Sequence, residues 1–470
     1  MMWTFERFGQ RIALLDEKGQ ALSYARLAEE GAALMRAVGG RRLVFGLCRN
    51  ELGSVAGYAG MVNAGAVPLL LPDGIDAQLL STLYQTYRPA FLWAPEDFAW
   101  EGCQEAHRAL GYRLLRTPFG GETALHDDLA LLLTTSGSTG SPKLVRQSYR
   151  NIEANTRSIV QYLRLDENER PITTLPMNYT YCLSILNSHL WVGATILVAH
   201  SGIAQRSFWD FFRREGATSF GGVPYTYEML DRMRFTRMDL PSLRTMTQAG
   251  GRLAPELHAR FVDWCERTGR QFIVMYGQCE ATARMAYLPW EMSAKKIGSM
   301  GVAIPGGRLE LVGVDGQPVQ EAGVVGELRY YGDNVTLGYA QCAADLALGD
   351  ERHGVLDTGD MAMRDEDGYY TIVGRKKRFL KLFGNRVNLD EAERLIKAAF
   401  PDCDVAVGGR DDHLTLYAVQ GGELPAMREY LSQKTGLPVS GFFTQEVAAI
   451  PKNEAGKTLY RELEEIHDGR

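Results

Sequence analysis

No Cys-x-x-Cys pair occurs in this sequence, and its seven cysteines (Cys48, Cys103, Cys182, Cys265, Cys279, Cys342, Cys403) are scattered and odd in number. That argues against a disulfide framework and a zinc site, and a reducing, cytoplasmic setting is expected. No apolar run approaches the ~20 residues that cross a bilayer. The opening Met1-Met2-Trp3-Thr4-Phe5-Glu6-Arg7 has an early acid and no apolar core, so neither a signal peptide nor a membrane partner is expected. An excess of one charge is also missing. The 51 basic and 57 acidic residues leave −6, a balance that does not suggest a nucleic-acid surface. No Gly-x-Gly-x-x-Gly follows an early strand with an acid ~20 residues on, which disfavours a nicotinamide oxidoreductase.

What is present begins with Thr135-Ser136-Gly137-Ser138-Thr139-Gly140-Ser141-Pro142-Lys143, directly after the apolar run Leu129–Leu133. Five hydroxyl residues and two glycines make a loop rich in donors, and Lys143 adds a positive charge at its end. Such a loop suits the anionic oxygens of a nucleotide triphosphate. Its spacing is not that of a Walker A loop, because no Gly-Lys-Ser/Thr follows it.

Around this loop helix and strand alternate. Ser23 is placed to cap a helix running to Val38, Leu43–Leu47 reads as a buried strand, and a helix is expected over about 51–63. The expected fold class is α/β, with layered sheets in a large N-terminal domain (1–374). At 470 residues a length prior suggests roughly three compact units. From about residue 306 to 374 short β runs broken by Asp315-Gly316 and Asp367-Gly368 predict a small antiparallel subdomain. The run Arg375-Lys376-Lys377-Arg378 marks a composition break. After it, residues 378–470 read as a small, mobile α+β domain with helices near Glu391–Phe400 and Pro425–Thr435.

Further segments carry chemistry in order: Gln248-Ala249-Gly250-Gly251-Arg252, Met275-Tyr276-Gly277-Gln278-Cys279-Glu280, Gly326-Glu327-Leu328 with Gly332 and Gly338-Tyr339, Thr358-Gly359-Asp360, Gly374-Arg375, and Pro451-Lys452-Asn453-Glu454-Ala455-Gly456-Lys457. Together they resemble the adenylate-forming superfamily of acyl-CoA synthetases, peptide-synthetase adenylation domains and beetle luciferases, over nearly the whole chain. The resemblance implies activation of a carboxylic acid by ATP and Mg²⁺ to acyl-AMP, then transfer to a thiol.

That reaction drives one anion onto another, so cations and fixed donors must neutralise the charge building on the phosphoryl oxygens. Thr135, Ser136, Gly137, Ser138, Thr139 and Gly140 with Lys143 suit the β- and γ-phosphates. Glu280 suits Mg²⁺, which binds few protein carboxylates alongside phosphate oxygens. The resemblance places Gly250, Gly251 and Arg252 beside the adenine and Tyr276, Gly277, Gln278 and Cys279 around the nucleotide. It also puts Asp360 and Arg375 on the ribose, Ile372 near the adenosine, and an interdomain hinge at Lys377 within 375–378. Lys376 and Arg378 read as ordinary surface charge. Lys457 is expected to bridge the attacking carboxylate and the α-phosphate, and a turn of the small domain would then clear it for the thiol. Cys279 stands where the family usually has Thr, Leu144 where Gly is frequent, and Leu389 where Pro is frequent.

The segment Leu175–Ser184 matches the family's acyl site, with Asn178, Tyr179 and Tyr181 as lining and Gly221, Gly222 and Val223 assigned beside them. It holds no acid to pair with an α-ammonium, so an α-amino acid is disfavoured. Its polarity, with Asn187 and His189, points to a small, hydroxylated or aryl acid. The expected acceptor is the phosphopantetheine of a separate acyl carrier protein, with free coenzyme A as the alternative. A luciferase-like oxygenase shares the adenylation motifs and stays open.

Overall fold

The computed structural model describes residues 2–120, 123–134, 143–383, 385–419, 423–452, 458–460 and 462–463. Ser23 caps the helix Tyr24–Val38 by accepting from the Arg26 N–H at 3.2 Å, and left-handed Gly39 ends it. The next helix runs Leu52–Ala64 and is buried from Leu52 through Val62, which is why its sequence is apolar all round rather than striped. Among the described residues no helix is long and apolar enough to cross a membrane.

Two compact units form: residues 1–308 with 330–356, and residues 309–329 with 357–470. The first unit holds two large sheets. One runs, neighbour by neighbour, Gly338–Ala340, Leu144–Ser148, Leu129–Thr134, Val67–Pro72, Leu43–Cys48, Phe91–Pro95, Tyr112–Arg116 and Gln104–Ala109. Its inner strands are apolar without alternation because both faces are covered.

The second sheet sets up the site. Ser219–Gly222, Thr245–Gln248 and Gln271–Tyr276 are parallel neighbours, with Gly222 opposite Gln248 and Gln248 opposite Val274. Their carboxyl ends therefore lie side by side. The segments that follow, at Val223, at Ala249–Arg252 and at Gly277–Glu280, leave one edge of the sheet together. Open α/β sheets bind ligands at such an edge.

The second unit is α+β. A four-stranded sheet of Arg308–Val312, Val325–Tyr331, Val355–Arg364 and Tyr370–Arg375 lies mostly within it, turning at left-handed Gly316 and Gly368 as the Asp-Gly pairs predict. A three-stranded sheet (Val405–Arg410, His413–Val419, Phe442–Val447) carries the helices Leu389–Ala399 and Leu424–Thr435. Two compact units appear where the length prior suggests three. The β segment is sewn to the C-terminal residues: Asn388 Nδ2 donates to the Val373 carbonyl at 2.7 Å, and the Arg375 N–H to Asp390 at 3.1 Å. Residues 330–356, expected within the β subdomain, instead extend the first unit, where Tyr339 pairs with Val145.

Candidate active site

At the shared sheet edge the expected acyl and adenine segments meet. Gly250 is left-handed (φ +84°), and a Cβ there would lie 2.6 Å from the Tyr179 hydroxyl oxygen. Gly221 leaves room for Tyr181, whose hydroxyl hydrogen-bonds Thr247 Oγ1 at 2.7 Å. The two tyrosine rings stand edge-on, 6.3 Å apart. Burial, and then the Cys279 side chain, push the Tyr179 hydroxyl up to about 12, so it stays a neutral donor. Gly222 and Val223 are buried beside them, Asn178 is half-buried, and Gly251 packs on Pro224. Gln248 holds that turn by donating to the Gly251 carbonyl at 2.9 Å, and Arg252 is exposed.

Asn187 and His189 belong to the interior instead. Asn187 accepts from the Tyr58 hydroxyl at 2.9 Å, and His189 Nδ1 lies 2.7 Å from the Ile185 carbonyl.

The neighbouring loop carries Glu280. Its approach depends on Gly277, where a Cβ would lie 1.5 Å from the Ala283 carbonyl oxygen. The chain then makes a short 3₁₀ turn, Cys279–Ala281, and passes through positive φ at Thr282 and Ala283. Asn334 secures the excursion by donating to the carbonyls of Ala281 (2.8 Å) and Arg284 (3.1 Å). Gln278 Nε2 reaches the Tyr276 hydroxyl at 3.3 Å, and Cys279 is half-buried.

One ring organises the charges here. The Tyr339 hydroxyl donates to Glu280 Oε1 at 2.8 Å. Lys143 Nζ lies 3.4 Å from the centre of the same ring, and the Arg352 guanidinium 4.5 Å from it. Arg352 also donates to the Glu280 carbonyl at 3.2 Å. Burial and the adjacent Glu280 carboxylate push the Tyr339 hydroxyl up to about 12, which keeps it a donor. Beneath it, fully buried Arg146 pairs with Glu351 and donates to the Tyr339 carbonyl at 3.0 Å. Sequence reading assigned no role to Tyr339, Arg352 or Arg146. Tyr339 and Arg352 lie 59 and 72 residues from Glu280, and Arg146 lies 193 residues from Tyr339, so no local spacing signals these contacts.

In the second unit Asp360 and Arg375 face each other across paired strands, with Nε 3.6 Å from Oδ1. Asp360 keeps 9% of its side-chain surface and Arg375 keeps 66%, so a guarded carboxylate stands beside an open guanidinium. Ile372 is half-buried two strand positions before Gly374. Lys376 pairs with Glu327 at 2.6 Å. Arg378 is not surface charge: its side chain is 11% exposed and bonds Asp390 at 2.8 Å and the Val407 carbonyl at 2.7 Å. Glu393 and the Tyr460 ring complete its shell. Thr135, Ser136, Gly137, Ser138, Thr139, Gly140 and Lys457 lie outside the described residues, as does the side chain of Lys377.

Paired sheets, a small α+β unit and a glycine-lined sheet edge are the features of an adenylate-forming fold. O-succinylbenzoate coenzyme A synthetase from Bacillus subtilis, in complex with AMP, shares it with a TM-score of 0.80 at 21% identity, over 98% of this chain and 97% of that one. The chain belongs to the AMP-binding enzyme family, which its residues 2–340 match. Curated relatives include feruloyl-CoA synthase of an Amycolatopsis species, 29% identical over 398 residues (80% of this chain, 78% of the relative). Indoleacetate–CoA ligase of Aromatoleum aromaticum is 32% identical over 287 residues, or 60% of this chain and 54% of the relative.

Proposed function

We propose that this AMP-binding enzyme activates a small carboxylic acid, not an α-amino acid, with ATP and passes the acyl group to the thiol of coenzyme A. The supporting observation is the Tyr339 cluster, which holds a carboxylate and two cations around one ring. The acceptor departs from the carrier protein expected from the sequence, because the curated relatives above are named for coenzyme A.

Glu280 offers hard carboxylate oxygens, one engaged by a neutral hydroxyl, a donor set that fits Mg²⁺ shared with phosphates. Bound there, Mg²⁺ would neutralise phosphoryl charge. Tyr339 orients Glu280, and Lys143 with residues 135–140 binds the β- and γ-phosphates. Gly250, Gly251 and Arg252 border the adenine, while Asp360 accepts from the ribose hydroxyls and Arg375 donates to the same sugar. Lys457 steadies the acid's carboxylate against the α-phosphate, and the basic run at 375–378, with Lys377 as pivot, allows the small domain to change its approach before thiol attack. Tyr179, Tyr181, Gly221, Gly222 and Val223 line the acyl site.

The test is acid-dependent exchange of pyrophosphate into ATP with aryl, hydroxy and short-chain acids, followed by product analysis with coenzyme A or a pantetheinylated carrier. Exchange with several acids and an acyl-CoA product are expected. Absence of exchange with every acid sinks the adenylation reading, and loading of the carrier alone returns the acceptor to the protein-bound thiol. Oxygen uptake or light emission would move it to the luciferase class.

A further inference from the structure

Among the described residues two arginines are almost wholly buried, Arg146 and Arg284. Arg146 has Glu351 as its counter-ion. Arg284 is 2% exposed and has none among the described residues. Its Nε donates to Ser184 Oγ at 2.9 Å, and its Nη1 to the Tyr162 hydroxyl at 2.9 Å with Met275 Sδ at 3.3 Å. All these partners are neutral.

A guanidinium taken out of water without an anion is costly, because hydrogen bonds to neutral groups replace only part of its hydration. The strained turn through Thr282 and Ala283 nevertheless aims this side chain inward. It arrives beside the acyl segment, with its Cζ 5.4 Å from the centre of the Tyr181 ring. Ser184 also lines a cavity of about 10 Å³, room for a single water, together with Gln147, Ile152, Asn155, Thr180, Leu183 and Thr282. The charge is felt around it: Arg284 adds to burial in holding His189 in its neutral form.

We propose that Arg284 binds a second anionic group on the acid, a carboxylate or sulfonate, so that the enzyme selects dianionic acids over their monoanionic counterparts. This rests on the adenylation reading above. One carboxylate goes forward to the adenylate, while the other stays ionised and completes the missing ion pair. A planar, charged fork suits such a group better than a neutral substituent does.

Pyrophosphate exchange with matched pairs tests it: succinate against butyrate, terephthalate and 4-sulfobenzoate against benzoate. The dianionic members are expected to win by about 100-fold or more in kcat/KM, since a site built for a polar group strongly rejects analogues lacking it. Arg284→Gln should erase that preference through KM for the dianions while sparing monoanion turnover, and Arg284→Lys should keep part of it. Wild-type preference for monoanions overturns the proposal while leaving adenylation intact, and needs no variant. Equal losses for both classes in Arg284→Gln also overturn it, as a structural role would. Exchange with no acid at all removes the adenylation reading and this inference together.

Discussion

At the scale of single residues, the site is shaped by what is left out as much as by what is present. Gly277 lets the Glu280 loop fold back onto the end of its strand, and any side chain there meets the Ala283 carbonyl. Gly277→Ala is expected to cost about 3 kcal/mol or more, because the obstacle is backbone and cannot rotate away. Chemical denaturation would measure it, with exchange activity falling further than stability as Glu280 is displaced. A variant as stable and active as the parent would show that this approach is not needed. Tyr339 illustrates the opposite case, a residue whose identity says little until its neighbours are known. Its signal was only a Gly-Tyr pair in a longer family signature. Its use comes from a strand pairing that sets it between Lys143 and Glu280.

At the scale of elements, the periodicities were readable and their burial was not. The helix Thr180–Val192 looks like pocket lining from its polar residues, yet ten consecutive positions, Tyr181–Leu190, are buried. Its His189 and the His258 of the helix Pro255–Arg267 are held by burial down to about 4. Unfolded imidazoles take up a proton near pH 6.5. Between pH 6.5 and 4 the unfolded chain therefore binds more protons than the folded one. Stability falls as pH drops through that window, by up to about 1.4 kcal/mol per pH unit for each imidazole, and is level above it with respect to these groups. Urea unfolding from pH 4 to 8 is expected to show the slope, and His189→Gln to reduce it. An unchanged slope in that variant would place the protons elsewhere. The basic run teaches the same lesson. Four like charges in a row read as a solvated face, but Arg378 turns inward to Asp390 and Glu393 while Arg375 stays open.

At the scale of the whole molecule, the proposed reaction assigns roles to residues of both compact units: Lys143 and Glu280 of one, Asp360, Arg375 and Lys457 of the other. A two-step chemistry sharing one acyl carbon gives a physical reason for that division, since the activating lysine and the incoming thiol need the same approach. Lys457→Ala is expected to abolish pyrophosphate exchange nearly completely while preformed acyl-adenylate is still consumed by coenzyme A. Loss of both half-reactions in parallel, or of neither, would contradict that division of labour.

The amino-acid order by itself determined the α/β alternation, the Asp-Gly turns of the small β sheet and the sequence positions of the segments proposed to bind nucleotide. Those features are local, written in periodicity, capping and glycine placement over a few residues. Only the tertiary structure decided that three loops leave one sheet edge, that Tyr339 joins Lys143 to Glu280, and that Arg284 is buried with no acid beside it among the described residues. Such relations join residues far apart in the chain, and burial, unlike helix or strand preference, is a property no short window contains.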